Sequence, residues 1–480
     1  MEAPDRHEWR VAVQNVIDLG GLQRIVFSCR APWVDFAEVF AELGTSADIE
    51  FDNGKVERTT AGTEAGVGVR LVRGATVAYS IVNSPDPDRI LAAALQAAEA
   101  LRLLPDQEVV VLPATGGPGG ASDARAVRDL GVDEFARSLS LVDRAARSFD
   151  QAVTHVALQG RTQERSILVL NSDGLCASDH QAYTRVYISV VTTRGGKREA
   201  NYYLPARATG AERFFHLHPP ADIAQKAAHM ALIQHEARPA PTGPMSVVVG
   251  SGRGGVLIHE ACVHPLEADF ISRSNSVYRG LLGQPIASDT VTVVDDATAP
   301  GDFPGNYRID DEGCAGCRNV LVEKGVLRSY LTDAASAAHL GQRRTGSGRR
   351  QSYQYLPMPR MSNTYIERGE WEPSEIIRAT SRGIYAKEVG GGEVNQVTGE
   401  FVFSIAEGYL IEDGRVTAPI QGATLVGFGP EVLHQIDMVG SDLTLAAALC
   451  EKNGQVVPVG VGQPTLRIRE MVVGGTSRQG

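Results

Sequence analysis

No run of apolar residues in this sequence approaches the roughly 20 that a membrane-spanning helix requires, so a soluble chain without a membrane partner is expected. Positive charge is also short: 46 Lys and Arg stand against 57 Asp and Glu, a formal net charge of −11. A chain built to neutralise phosphates carries the opposite balance, so nucleic acid is a poor expectation as a partner. Cysteine is sparse. Cys29, Cys176, Cys262, Cys314, Cys317 and Cys450, six in 480 residues, are too few for a disulfide framework and read as reduced thiols or ligands. The amino terminus, MEAPDRHEWRVAVQ, lacks the apolar core and cleavage site of a secretory signal, and a cytoplasmic location follows as the expectation.

What is present suits a globular protein of more than one core. A length of 480 residues exceeds what one hydrophobic core usually organises, and the 43% of hydrophobic residues is enough to fill two. DIEFDNGKVERTT predicts a hairpin, because Asn53-Gly54 supplies the positive φ values of a tight turn. VGVRLVRGATVAYSIV continues the sheet, and a helix is predicted from about Asp88, with Ile90, Leu91, Ala94, Leu95, Ala98 and Leu101 forming its apolar stripe. A loop is expected over Thr115 to Asp123, then helix to about Phe149, three strands (AVTHVALQG, ERSILVLNS, AYTRVYISVVTT), and helix from Asp222 to Glu236. ARPAPTGP, with three prolines, reads as a linker. Beyond it short β-rich pieces dominate, with Glu323-Lys324-Gly325 and Glu412-Asp413-Gly414 placed as hairpin turns. The expected fold is α+β: an N-terminal mixed α/β domain over residues 1–237, then a predominantly antiparallel β domain over residues 244–480 that carries the chemistry.

That chemistry centres on VVVGSGRGGVLIHEACVHPLEADF, read as strand, glycine turn and helix. Neutral imidazoles are good zinc ligands, and Glu260 beside His259 is placed to take a proton from water held by the metal. The spacing to His264 is unusual. Histidines five apart stand about 140° from each other on a regular α-helix, so this pair cannot chelate without distortion. Pro265 offers one, because it removes the hydrogen bond to the carbonyl of Ala261 and disfavours helical geometry at His264. Two histidines still leave a catalytic zinc one protein ligand short, and a His-Glu pair on a helix is often merely structural.

HEACVHPLEAD resembles the HExxxH helix of the TldD/PmbA peptidases. The similarity continues in order through IDDEG, GSGRRQSY, LPMPRMSNTY, GGGEVNQVTGEFVFS and VPVGVGQPTLRI, and more weakly in ADIEFDNGKVERTTAGTEAGVGVR. The resemblance implies a third zinc ligand at Cys450, just before VPVGVGQPT; without it, Cys450 would read as a small buried hydrophobe. It implies the catalytic member of the family, with Zn2+ on His259, His264 and Cys450, Glu260 as the base, and extended unfolded or short peptides as substrates. It also implies a homodimer, or a heterodimer with a metal-free paralogue. Cys262, Val263 and Pro265 depart from the small residues more usual in the family, which suggests an altered substrate-facing wall and a specialised peptide, as in natural-product maturation.

Other signals are weaker. Cys314 and Cys317 have CxxC spacing but no second ligand pair nearby, so a loop is expected. Gly250, Gly252 and Gly255 spell GxGxxG without the following strand and acidic residue of a dinucleotide site, and are expected to allow a turn. Asp310, Asp311 and Glu312, like Arg349 and Arg350, are expected on a solvated face, with a cation and a peptide carboxylate as their respective alternative ligands. Two rival functions fit the same sequence: a non-enzymatic peptide-binding or modulator subunit, which has no reason to retain stoichiometric metal, and a tailoring hydrolase acting on a small amide or thiol conjugate.

Overall fold

Residues 19–29, 31–115, 130–273, 275–395 and 398–475 are described by the structure, a computed structural model. The first sheet contains β1 (Phe36–Asp52), β2 (Lys55–Arg73), β3 (Thr76–Val82), β4 (Val109–Thr115), β5 (Val153–Asn171), β6 (Cys176–Arg194) and β7 (Lys197–Tyr203), in the order 4-3-2-1-5-6-7; neighbours run antiparallel except β4, which runs parallel to β3. The turn between β1 and β2 falls on Asn53-Gly54, both at positive φ, with Asp52 paired to Lys55. Helices Pro87–Leu103, Val132–Phe149 and Pro220–Leu232 cover one face of this sheet. Most of the loop expected over Thr115 to Asp123 lies outside the described residues.

Two local expectations need correction. The helix Pro87–Leu103 buries Ile90, Ala93, Ala94, Ala97 and Leu101, whereas Leu95 is 51% exposed. Small alanines let this helix lie close to the sheet, which turns the buried face away from the bulkier Leu95. The runs AVTHVALQG and ERSILVLNS form the single strand β5, which continues through the polar Arg161-Thr162-Gln163. Those residues are held because β5 lies between β1 and β6, so its backbone is paired on both sides along most of its length.

The second half is mainly antiparallel. Strands Gly243–Val249, Arg382–Val394, Glu400–Glu412, Ala423–Phe428 and Leu466–Gly475 pair in a closed ring, in which Gly243–Val249 runs parallel to Arg382–Val394 and the other contacts are antiparallel. Closure leaves no open edge where the ring joins. A separate six-stranded sheet contains the hairpin Thr444–Lys452 and Gln455–Gln463. The turns at Lys324-Gly325 and Asp413-Gly414 both take positive φ, as the primed hairpin geometry demands. ARPAPTGP is not a free linker: Arg238–Pro239 pairs with Ile420 and Gln421, and a strand starts at Gly243.

The two halves are joined by a buried ionic network, which overturns the solvated reading of two sequence clusters. Asp310, Asp311, Glu312, Arg349 and Arg350 are all buried. Glu38 on β1 accepts from Arg70 and from Arg350, each at 2.7 Å, while Arg70 also pairs with Glu312 at 2.7 Å. Arg165 on β5 bridges Glu42 and Asp311 at 2.8 and 3.2 Å. Arg349 donates to the carbonyls of Met361 and Pro458, so both its arms are occupied within the protein. The physical reason is neutralisation by partners from the first half: Arg70 meets Glu312, Arg165 meets Asp311 and Glu38 meets Arg350, so these charges are buried with opposite ones. Tyr353 seats beside them against Gly66, where an added Cβ would stand 2.1 Å from its ring.

Removing one member leaves buried charge uncompensated. Arg350→Met should therefore cost about 3–5 kcal/mol of stability, read as a lower urea midpoint; a midpoint equal to that of the parent would show that this contact does not hold the halves together.

Candidate metal centre

Strand Gly243–Val249 ends in a glycine turn that launches the site. Gly252 takes φ +89°, a Cβ on Gly250 would lie 2.6 Å from the Lys387 carbonyl oxygen, and one on Gly255 would lie 2.3 Å from the Gly462 nitrogen. The GxGxxG glycines thus serve the turn and close backbone approach. A short α-helix, Gly255–Ile258, follows and widens into a π-turn, His259–Val263, before a 3-10 turn over His264–Leu266. The amide of His264 donates to the carbonyl of His259. That i→i+5 bond brings residues five apart onto one face.

The distortion therefore begins at His259, earlier than the helix ending at Pro265 that the sequence suggests. Pro265 still contributes, since it cannot donate to the Ala261 carbonyl. This oxygen packs instead over Gly429 and Gly399, at 2.1 and 3.0 Å from where their Cβ atoms would be. Cys262 and Val263 belong to the main hydrophobic core and do not form a substrate-facing wall. The Cys262 Sγ donates to the Gly429 carbonyl at 3.6 Å, and burial pushes this thiol up.

The third candidate arrives from the other end of the second half. Gly462, against Gly255, lies on strand Gln455–Gln463, whose hairpin partner places Cys450 opposite Val457. His259, His264 and Cys450 converge, with one donor atom from each within 4.8 Å of the others and all three residues buried. The Cys450 Sγ lies 3.3 Å from His264 Nε2, and the two imidazole rings stand edge to face with centroids 5.1 Å apart. Glu260 places Oε2 3.4 Å from His264 Nε2, and its side chain, 20% exposed, is the one of the four that reaches solvent.

These residues fit a cation. Both ring nitrogens of His259 are buried without a hydrogen-bond partner, an arrangement that costs free energy unless something else engages them. Burial opposes ionisation of Cys450, yet the imidazoles of His264 and His259 outweigh it and hold the thiol well below its usual range. Burial likewise resists charge on His264, but Cys450 and Glu267 push its pKa well above the ordinary value. The pocket thus favours a thiolate with positive charge beside it. Two imidazoles and a thiolate form a zinc-type donor set with a fourth position left over. Among the described residues no other group of His, Cys, Asp and Glu is arranged to hold a metal; Cys317 instead hydrogen-bonds Asn319 and the Thr345 carbonyl in a loop.

Known protein families place the chain as follows. Residues 37–101 match the PmbA/TldA metallopeptidase domain 1, residues 125–234 the central domain, and residues 242–475 the C-terminal domain. A metalloprotease TldD homolog from Haemophilus influenzae is 37% identical over 461 residues, covering 92% of this chain and 94% of that one. The chain belongs to the PmbA/TldD metallopeptidase family. A second family relative, a zinc metalloprotease TldD homolog from Saccharolobus solfataricus, is 32% identical over 48% of this chain and 52% of its own length. The crystal structure of TldE from Thermococcus kodakarensis shares the PmbA/TldD fold, with a TM-score of 0.75 at 19% identity, covering 95% of this chain and all of that one. Among the described residues no helix is long and apolar enough to cross a membrane.

Around the three donors stand residues that motif reading missed: Glu267, whose Oε2 meets His264 Nδ1 at 2.9 Å; Lys452, which reaches the same oxygen at 2.9 Å; and Arg360, which donates to the Cys450 carbonyl at 2.6 Å. Spacing held a clue, since Glu267 is one helical turn past His264 and Lys452 shares a strand face with Cys450.

The π-turn depends on the empty space at residue 429. Gly429→Ala should displace the Ala261 carbonyl, cost about 1–3 kcal/mol of stability and reduce the metal-to-protein ratio after dialysis. Gly62→Ala, which meets nothing within 4 Å, serves as the neutral control. Full metal retention in Gly429→Ala would show that the turn does not need that gap.

Proposed function

We propose that this chain is a zinc-dependent peptidase in which His259, His264 and Cys450 hold the ion and Glu260 is the general base. The observation that carries the reading is the convergence of three buried donors, one of them an imidazole with no other partner, beside a carboxylate that alone reaches solvent. The word zinc in the name of the Saccharolobus relative supports the choice of ion. When bound, the ion supplies a Lewis acid for the scissile carbonyl and for water.

The chain's own residues do the rest. Glu260 Oε2 stands 3.4 Å from His264 Nε2 at the edge of the donor set, where its carboxylate can accept a proton from water held there. It takes the proton of the attacking water and returns one to the leaving amine, the usual two-way role of a general acid–base group. Because the donors are enclosed and only Glu260 is partly open, an extended, unfolded or short peptide suits the centre better than a folded surface. Residues 1–237 and 244–480 are read as the two domains of this peptidase.

Glu260→Gln should keep the metal and lose at least about 100-fold in peptide hydrolysis, while Cys450→Ala should lose the metal itself. Undiminished turnover by Glu260→Gln would remove its role. Native protein purified without stoichiometric metal would favour a peptide-binding subunit instead.

A further inference from the structure

The Lys452 side chain has no solvent exposure, and a buried ammonium is costly unless fully paired. Here every donor is used: Nζ reaches Glu267 Oε2 at 2.9 Å, Asp269 Oδ1 at 2.7 Å and the Pro359 carbonyl at 3.1 Å, with the Phe270 ring centroid 4.5 Å away. Glu267 Oε2 is shared with His264 Nδ1 at 2.9 Å, while Oε1 has no partner. One carboxylate oxygen is therefore gripped between an ammonium and an imidazole.

We propose that Glu267 and Lys452 form a positioning pair that fixes the tautomer and ring orientation of His264, keeping the proton on Nδ1 and turning Nε2 toward Cys450. This rests on reading His264 as a metal ligand. The connectivity gives the pair its purpose. Each of two distant segments supplies one ligand and one support: His264 with Glu267 on the helical side, and Cys450 with Lys452, two residues apart and on the same face, on the strand. Lys452 clasps Glu267 across the centre, so the strand that brings the thiol also holds the opposite imidazole. Arg360, donating to the carbonyls of Cys450 and Gln455, keeps that hairpin in register. A carboxylate behind a ligating imidazole orients it and raises its basicity, and its loss commonly weakens metal binding.

The test uses the full chain loaded with cobalt or zinc. The parent should show a thiolate-to-cobalt charge-transfer band that Cys450→Ala abolishes; its absence would remove the ligand reading and this inference with it. With that band present, Lys452→Met and Glu267→Gln should keep it, shift the cobalt ligand-field bands, and weaken zinc binding about 10–100-fold in chelator competition. Zinc affinity and cobalt spectra matching the parent in both variants would overturn the positioning pair and leave the ligand set standing. Should either variant fail to fold, imidazole nitrogen–proton NMR of the unaltered zinc-loaded chain decides. A proton on Nδ1 of His264 is expected, and one on Nε2 would refute the proposal.

Discussion

A single hydrogen bond, from the His264 amide to the His259 carbonyl, closes the wide turn on which the candidate centre is built. In a regular α-helix the same two residues would point about 140° apart and could not share an ion. Widening the turn by one residue superposes them, and the surroundings hold it wide. Pro265 cannot complete the α-helical bond to Ala261, and the displaced carbonyl lies against two glycines, Gly399 and Gly429, that leave it room. The π-turn is a local irregularity stabilised from outside, as such turns at functional sites often are.

The third donor depends on long-range packing. Cys450 stands 186 positions from His264, and its hairpin is brought close through the partner strand by the contact of Gly255 with Gly462, where two backbones approach without side chains between them. The polar residues behind the centre follow the same division, with Glu267 delivered by the helix and Lys452 by the strand. Buried charge is costly, so each exists only because the other is present. The same logic recurs between the halves of the molecule, where Glu38, Arg70, Glu312 and Arg350 neutralise one another out of water.

Family membership constrains what these features do but not the substrate. The sequence relatives named as metalloproteases span 92% of the chain or about half of it, and the TldE likeness is one of fold. Within that frame, Cys262 and Val263 pack behind the candidate centre, both side chains lying in the core.

Local chemistry determined much by sequence alone: the Asn53-Gly54 hairpin, the helix from Pro87, the glycine turn after Val249 and the His259-Glu260 pair follow from turn geometry, apolar period and ligand chemistry within a few residues of one another. Glu260, His259 and His264 were visible as a motif, and Cys450 through a resemblance. Tertiary structure alone decided the rest. The rotation of the Leu95 helix, the fusion of two expected strands into β5, the burial of Asp310 to Glu312 with Arg349 and Arg350, and the Glu267–Lys452 clasp all depend on partners far along the chain. A charged residue in a sequence reads as solvated because its counter-charge is not beside it; only folding brings the two together and makes burial possible.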